Sequence, residues 1–157
     1  MGKSMAGHLM AKGHSLMVYN RTASKADELV AAGAQFMEPT EIARNADCLF
    51  MMLGYPHDVR EMAIGASQGI VNIMKPGSTL IDHTTSSPSL AEEIAAVAVG
   101  RGVHSVDAPV SGGDIGAKNG NLVTMVGGSQ EGVGSVKDLL DVYSVEVQHM
   151  GEAGAGQ

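Results

Sequence analysis

Apolar positions recur along the chain in two rhythms, helical and alternating, that replace one another at short intervals. Residues 2–12 carry Met5, Leu9 and Met10 at helical spacing and stop at Gly13, which predicts a helix with those three side chains inward. Residues 15–20 then read as a short strand. A second helix comes next over 23–32, with Thr22 as its cap and Gly33 closing it. A short helix over 40–45 leads into the apolar strand Cys48-Leu-Phe-Met-Met-Leu53. Residues 56–63 and 67–74 read as helices, and Pro76-Gly77 turns the chain into a strand over 78–82. Ser87-Pro88 is a strong helix start, a capping serine before a proline in the first turn, with Glu92 and Glu93 near the positive helix end. Leu90, Ile94, Val97 and Ala98 form the inner stripe of that helix. Strands over 103–108 and 122–126 come next. Ser129 then opens a helix with Val133, Val136 and Leu140 inward, and residues 142–149 read as a last strand.

Strands alternating with helices at this spacing predict an α/β fold on a doubly wound, mostly parallel sheet, because right-handed crossovers leave few other topologies. Such sheets bind their ligands at the carboxyl ends of the strands. The candidate chemistry belongs there.

Composition narrows the function. At 157 residues, 44% hydrophobic and 17% charged, the chain has the make-up of one globular domain with a sizeable core. Its apolar runs are too short to span a bilayer, and its start lacks the layout of a secretory signal, so a cytosolic protein, or one already processed into the mitochondrial matrix, is expected. A formal net charge of −7 repels phosphate over most of the surface, which argues against a general nucleic-acid binder. An anionic ligand must be held locally. The single cysteine, Cys48, sits in an apolar strand and reads as a buried structural thiol, and the 11 methionines read as packing. The histidines at 8, 14, 57, 83, 104 and 149 show no ligand spacing, so no metal is expected.

Three blocks carry chemistry. The first is Met1-Gly-Lys-Ser-Met-Ala-Gly-His-Leu-Met-Ala-Lys-Gly-His14 followed by Val18-Tyr-Asn-Arg-Thr22, and the second is Asp82-His-Thr-Thr-Ser-Ser-Pro88. The third is Asp107-Ala-Pro-Val-Ser-Gly-Gly113, with Gly116-Ala117, Gly120 and Met125-Val-Gly-Gly128. In this order they resemble the β-hydroxyacid dehydrogenase family of the 3-hydroxyisobutyrate dehydrogenase type, whose patterns are GLGxMGxxMA, GHxVxVxNRT and DxSTxxP.

The resemblance implies a nicotinamide-dependent oxidoreductase. Gly2 matches the third glycine of the fingerprint, where a bare helix start packs close to a strand beside the pyrophosphate. The preceding strand and the first two glycines are not in the sequence, and the missing strand is a central one whose burial contributes on the order of 10 kcal/mol. A truncated domain is therefore expected. At the end of the next strand Asn20 stands where NAD enzymes often carry an acid, and Arg21, with Thr22 and Lys25, suits a 2′-phosphate. That favours NADP over NAD, the alternative being that Arg21 is a solvated surface charge. Leu53 and Gly54 occupy the family's cofactor-contact positions, and Asp58 is either a further contact or an ordinary helix-start acid.

Thr85 is the hydroxyl that the resemblance places near nicotinamide and substrate, and Ser111, Gly112 and Gly113 form a bend suited to a substrate carboxylate. Asn119 reads as a loop residue, Asp107 as a brace for the turn after it rather than a catalytic base, and His83 as an ordinary position rather than a switch or proton relay. The family moves a hydride from the carbon bearing the β-hydroxyl to the nicotinamide while a lysine takes the hydroxyl proton. That lysine belongs to a GxGxxxK motif that Gly154-Ala-Gly156-Gln157 begins, so no catalytic residue is expected within 1–157, and Lys118 and Lys137 are not substitutes. The resemblance makes 1–150 the dinucleotide domain and 151–157 the start of an interdomain segment, in a parent protein that is a homo-oligomer. The rival reading is a non-catalytic dinucleotide-binding or scaffolding module. The choice among 3-hydroxyisobutyrate, tartronate semialdehyde and succinic semialdehyde stays open.

Overall fold

The computed structural model describes residues 1–66 and 68–157. In chain order it contains α1 (Gly2–Ala11), β1 (Met17–Val18), α2 (Asp27–Ala31), β2 (Gln35–Phe36), α3 (Pro39–Asn45), β3 (Cys48–Met51), α4 (Pro56–Ile64) and β4 (Thr79–Asp82). The second half adds α5 (Pro88–Val99), β5 (His104–Asp107), β6 (Val110–Ser111), α6 (Gly113–Asn119), β7 (Leu122–Gly127), α7 (Gln130–Leu140) and β8 (Ser144–Gly151).

Alternation along the strands builds the core on both faces of the sheet. Leu49 and Met51 of β3, Leu80 of β4 and Val103 ahead of β5 point to one side, where they meet Val59 and Ala63 of α4 and Leu90, Ile94 and Ala98 of α5. Phe50, Ile81 and Val106 point to the other, toward Met5 and Leu9 of α1 and Val133, Val136 and Leu140 of α7. Leu80 and Ile81 are neighbours in the chain and both are buried, each contributing roughly 1.5–3 kcal/mol, so β4 is covered by helices on both faces.

Strands β3, β4 and β5 pair in parallel and in simple register, Cys48 opposite Thr79 and Thr79 opposite His104. Beyond Asp107 the chain continues upward through Ala108-Pro109 into β6. Strand β7 runs antiparallel along both pieces, with Asp107 opposite Gly127, Val110 opposite Thr124 and Ser111 opposite Val123. That register is unbroken, so β5 and β6 act as one strand that overshoots the carboxyl end of β4. Strand β8 pairs in parallel with the other edge of β7. The sheet is mostly parallel, as the pattern required. It is divided, however: among the described residues β1 and β2 pair only with each other, and β3 begins a separate sheet of six strands.

Several elements differ from the expectation. The strand over 15–20 shrinks to Met17–Val18, because β2 alone supplies a pairing edge. The helix over 23–32 splits into a 3₁₀ turn, Ala23–Ala26, and the short α2, and the Thr22 side chain makes no capping bond. Of the helix over 67–74 only a 3₁₀ turn, Ile70–Asn72, is present; Ser67 lies outside the described residues. Asn119 ends α6 rather than lying in a loop. Cys48 is only half-buried, and burial together with the charge of Asp47 pushes its thiol pKa up.

Candidate functional site

The carboxyl ends of β3, β4 and β5 are tied together by side chains. Asp82 and Asp107 end β4 and β5 and lie opposite each other in the register, both buried. The Asp82 Oδ1 accepts the Thr84 N–H at 2.9 Å. Burial, opposed by the bonds from Thr84 and reinforced by the charge of Asp107, raises the Asp82 pKa to about 6. Next to it His83 is fully enclosed. Its Nδ1 meets the Ala108 carbonyl at 2.6 Å, and since a carbonyl only accepts, Nδ1 carries the proton and Nε2 accepts from the Tyr143 hydroxyl at 2.9 Å. Both ring nitrogens are satisfied in the neutral form, and burial holds the pKa down to about 4.

Two adjacent threonines divide the work of the next turn. Thr84 is buried, and its Oγ1 accepts the Leu53 N–H at 2.9 Å, joining the end of β3 to the end of β4. Thr85 is exposed. Sequence reasoning passes over Thr84, because two like residues side by side give no signal as to which one turns inward.

Asp107 braces a different segment from the one expected. Its Oδ1 accepts the Gly154 N–H at 2.7 Å and its Oδ2 accepts the Gln157 N–H at 3.1 Å, so it fastens the chain's last residues rather than the turn at Ala108-Pro109. The Gln157 side chain reaches on to the Thr85 turn, donating to the Thr84 carbonyl at 3.0 Å and accepting from the Ser86 N–H at 2.7 Å. No local pattern in the sequence singles out Gln157. The residues it meets are more than 70 positions away, at separations of 71 and 73.

The other candidates fall around these ends. Gly2 opens α1 beside β3, where an added Cβ would lie 3.4 Å from the Met52 Cβ. The amino group of Met1 contacts the Asp114 Oδ1 at 3.2 Å, which sets the start of α1 beside the start of α6. Ser111 ends β6 in the open, and Gly112 (φ 122°) and Gly113 (φ 60°) turn the backbone into α6 through angles that favour glycine. The half-buried Asn20 folds back, its Nδ2 donating to the Thr22 carbonyl at 2.8 Å, and leaves Arg21, Thr22 and Lys25 exposed beyond β1. Gly54 is exposed and Leu53 half-buried. Asp58 caps its own helix, its Oδ2 accepting the Tyr55 N–H at 3.1 Å. Beside it Tyr55 and His57 stack in the open at 5.6 Å, an aromatic pair that the sequence does not flag. Among the described residues no group of His, Cys, Asp and Glu could hold a metal ion, and no helix is long and apolar enough to cross a membrane.

Residues 1–151 match the NAD binding domain of 6-phosphogluconate dehydrogenase. The chain is 44% identical over 160 residues to the Arabidopsis thaliana protein named probable 3-hydroxyisobutyrate dehydrogenase-like 1, mitochondrial, covering 100% of this chain and 47% of that one. The solved structure of Psf3 in complex with NADP+ and 2-OPP is 30% identical with a TM-score of 0.94, covering 100% of this chain and 56% of that one. Mycobacterium tuberculosis 3-hydroxyisobutyrate dehydrogenase with L-serine is 30% identical with a TM-score of 0.91, covering 99% and 53%. The chain thus spans about half the length of the curated relatives it matches.

Proposed function

Because the chain belongs to the family of the NAD binding domain of 6-phosphogluconate dehydrogenase and is similar to proteins named 3-hydroxyisobutyrate dehydrogenase, we propose that it binds NADP in preference to NAD and serves hydride transfer to or from a small β-hydroxy acid or semialdehyde. One observation supports this above the rest: the start of α1, the Thr85 turn and the Ser111 bend all gather at or beyond the carboxyl ends of neighbouring strands. That is where ligands of such sheets lie.

The residues present fit a dinucleotide. Gly2 leaves the start of α1 bare beside the Met52 side chain, and the free N–H groups of the first turn suit a pyrophosphate. Arg21 and Lys25 are exposed cations in a chain of net charge −7, a local positive patch suited to a 2′-phosphate. Thr22 adds a hydroxyl at the same place. Leu53 and Gly54 form the wall beside the ribose, while Asp58 acts by holding the start of α4.

When bound, the cofactor supplies a nicotinamide ring that accepts or returns the hydride. This chain's own part is to bind and orient. Thr85 offers its hydroxyl to the substrate and the ring, and Ser111 with the backbone of Gly112 and Gly113 holds the substrate carboxylate. Lys137 is engaged with Asp141 at 2.6 Å and Lys118 stands on the last turn of α6, so neither takes the proton. That step belongs to the lysine implied beyond Gln157.

Thermal-shift titration tests the reading. NADP is expected to raise the melting temperature more than NAD does, Arg21→Ala to weaken NADP about tenfold and leave NAD nearly unchanged, and residues 1–157 alone to show no turnover of 3-hydroxyisobutyrate. The reverse ranking of the two cofactors would refute the role of Asn20 and Arg21.

A further inference from the structure

We propose that Gln157 is the positioning residue for Thr85: its side-chain amide clamps the 84–86 turn and so fixes where the Thr85 hydroxyl is presented. The proposal rests on the dinucleotide-binding reading, and it names what holds that site in shape.

The clamp is two-pronged. Gln157 Nε2–H donates to the Thr84 carbonyl and its Oε1 accepts from the Ser86 N–H, at 3.0 and 2.7 Å. These bonds bracket Thr85 as a neighbouring strand would, leaving its exposed side chain as the part of the turn not held. A carboxamide carries a donor and an acceptor on one planar group; a carboxylate keeps the acceptor and sets a charge against the Thr84 carbonyl.

Gln157 is itself fixed. Its N–H and that of Gly154 end on the buried carboxylate of Asp107. The segment lies so close to the sheet that a Cβ at Gly127 would fall 2.5 Å from the Asp107 Oδ1 and 2.7 Å from the Gly156 nitrogen, and a Cβ at Gly156 would fall 2.7 Å from the Asp107 carbonyl oxygen. No side chain fits at either place. On its other side the turn is held by Asp82, through the Thr84 N–H, and by the Leu53 N–H on Thr84 Oγ1. Among the described residues the buried Ser86 Oγ has no hydrogen-bond partner.

The test compares Gln157→Ala and Gln157→Glu with the wild-type chain, using NADP as one probe and 2′,5′-ADP, its adenosine half, as the other. Gln157→Ala is expected to weaken NADP about tenfold, leave 2′,5′-ADP unchanged, and speed hydrogen exchange at the Ser86 amide. Gln157→Glu, which keeps one prong, is expected to fall between. Equal losses for both probes would mean a general structural role and overturn the proposal, as would an unchanged affinity for NADP. If the wild-type chain binds neither probe, the cofactor reading fails and the positioning role falls with it; binding that Gln157→Ala leaves untouched removes the positioning role alone.

Discussion

His83 and Asp82 are adjacent, both buried, and pull the pH dependence of stability in opposite directions. His83 has a folded pKa of about 4, below its ordinary value of 6.5, so its contribution is present above pH 6.5 and lost as pH falls through 4. Asp82 has a folded pKa of about 6, above its ordinary 3.8, so its contribution is present below pH 3.8 and lost as pH rises through 6. Each is worth about 3 kcal/mol, and over the shared window they offset. Wild-type stability is therefore expected to change little from this pair between pH 6.5 and 4. Asp82→Asn, which leaves His83 alone, is expected to lose about 3 kcal/mol over the same range in urea unfolding curves. A flat profile in that variant would show that His83 is not held neutral. The partners of His83, Ala108 and Tyr143, come from 25 and 60 residues away, and only folding brings them together.

Elements were most legible where a local chemical signal marks their start. Ser87-Pro88 reads as a cap, and the Leu90 N–H does reach the Ser87 Oγ at 3.3 Å. Ser87→Ala is expected to cost about 1 kcal/mol, seen as a few degrees in the melting temperature, with dinucleotide affinity unchanged. Likewise Ser129 caps α7, and Val133, Val136 and Leu140 face inward as their spacing requires. Thr22 carries the same kind of signal and makes no capping bond with its side chain. Instead its carbonyl accepts the Lys25 N–H at 3.0 Å, a bond across three residues that winds Ala23–Ala26 as a 3₁₀ turn and delays the α-helix to Asp27. Short elements such as β2, β6 and α6 have two to seven residues, too few for a period to show.

In the whole molecule the described strands fall into two separate sheets, β1 with β2 and the six that begin with β3. Only two residue pairs hold β1 to β2, whereas four join β3 to β4 and four join β4 to β5. Amides of Met17–Val18 and Gln35–Phe36 are therefore expected to exchange with solvent well before those of Thr79–Asp82. An apolar strand of about five residues laid between β1 and β3, carried on the chain ahead of Gly2, is expected to pair both edges and raise stability by several kcal/mol. Protection that stays low at Met17 and Val18 in such an extended chain would count against that pairing.

From sequence alone came the α/β class, the helix-covered parallel strands and the three motif blocks, because hydrophobic period, capping chemistry and glycine spacing are all local properties of the chain. Tertiary structure alone decided which hydroxyl is buried, that Thr84 binds Leu53 while Thr85 faces out. It also decided that Asp107 fastens Gly154 and Gln157, and that Gln157 reaches the Thr85 turn. The physical reason is that a hydrogen bond depends on distance and direction between atoms, and for groups more than 70 residues apart those are set by how the strands register and the helices pack.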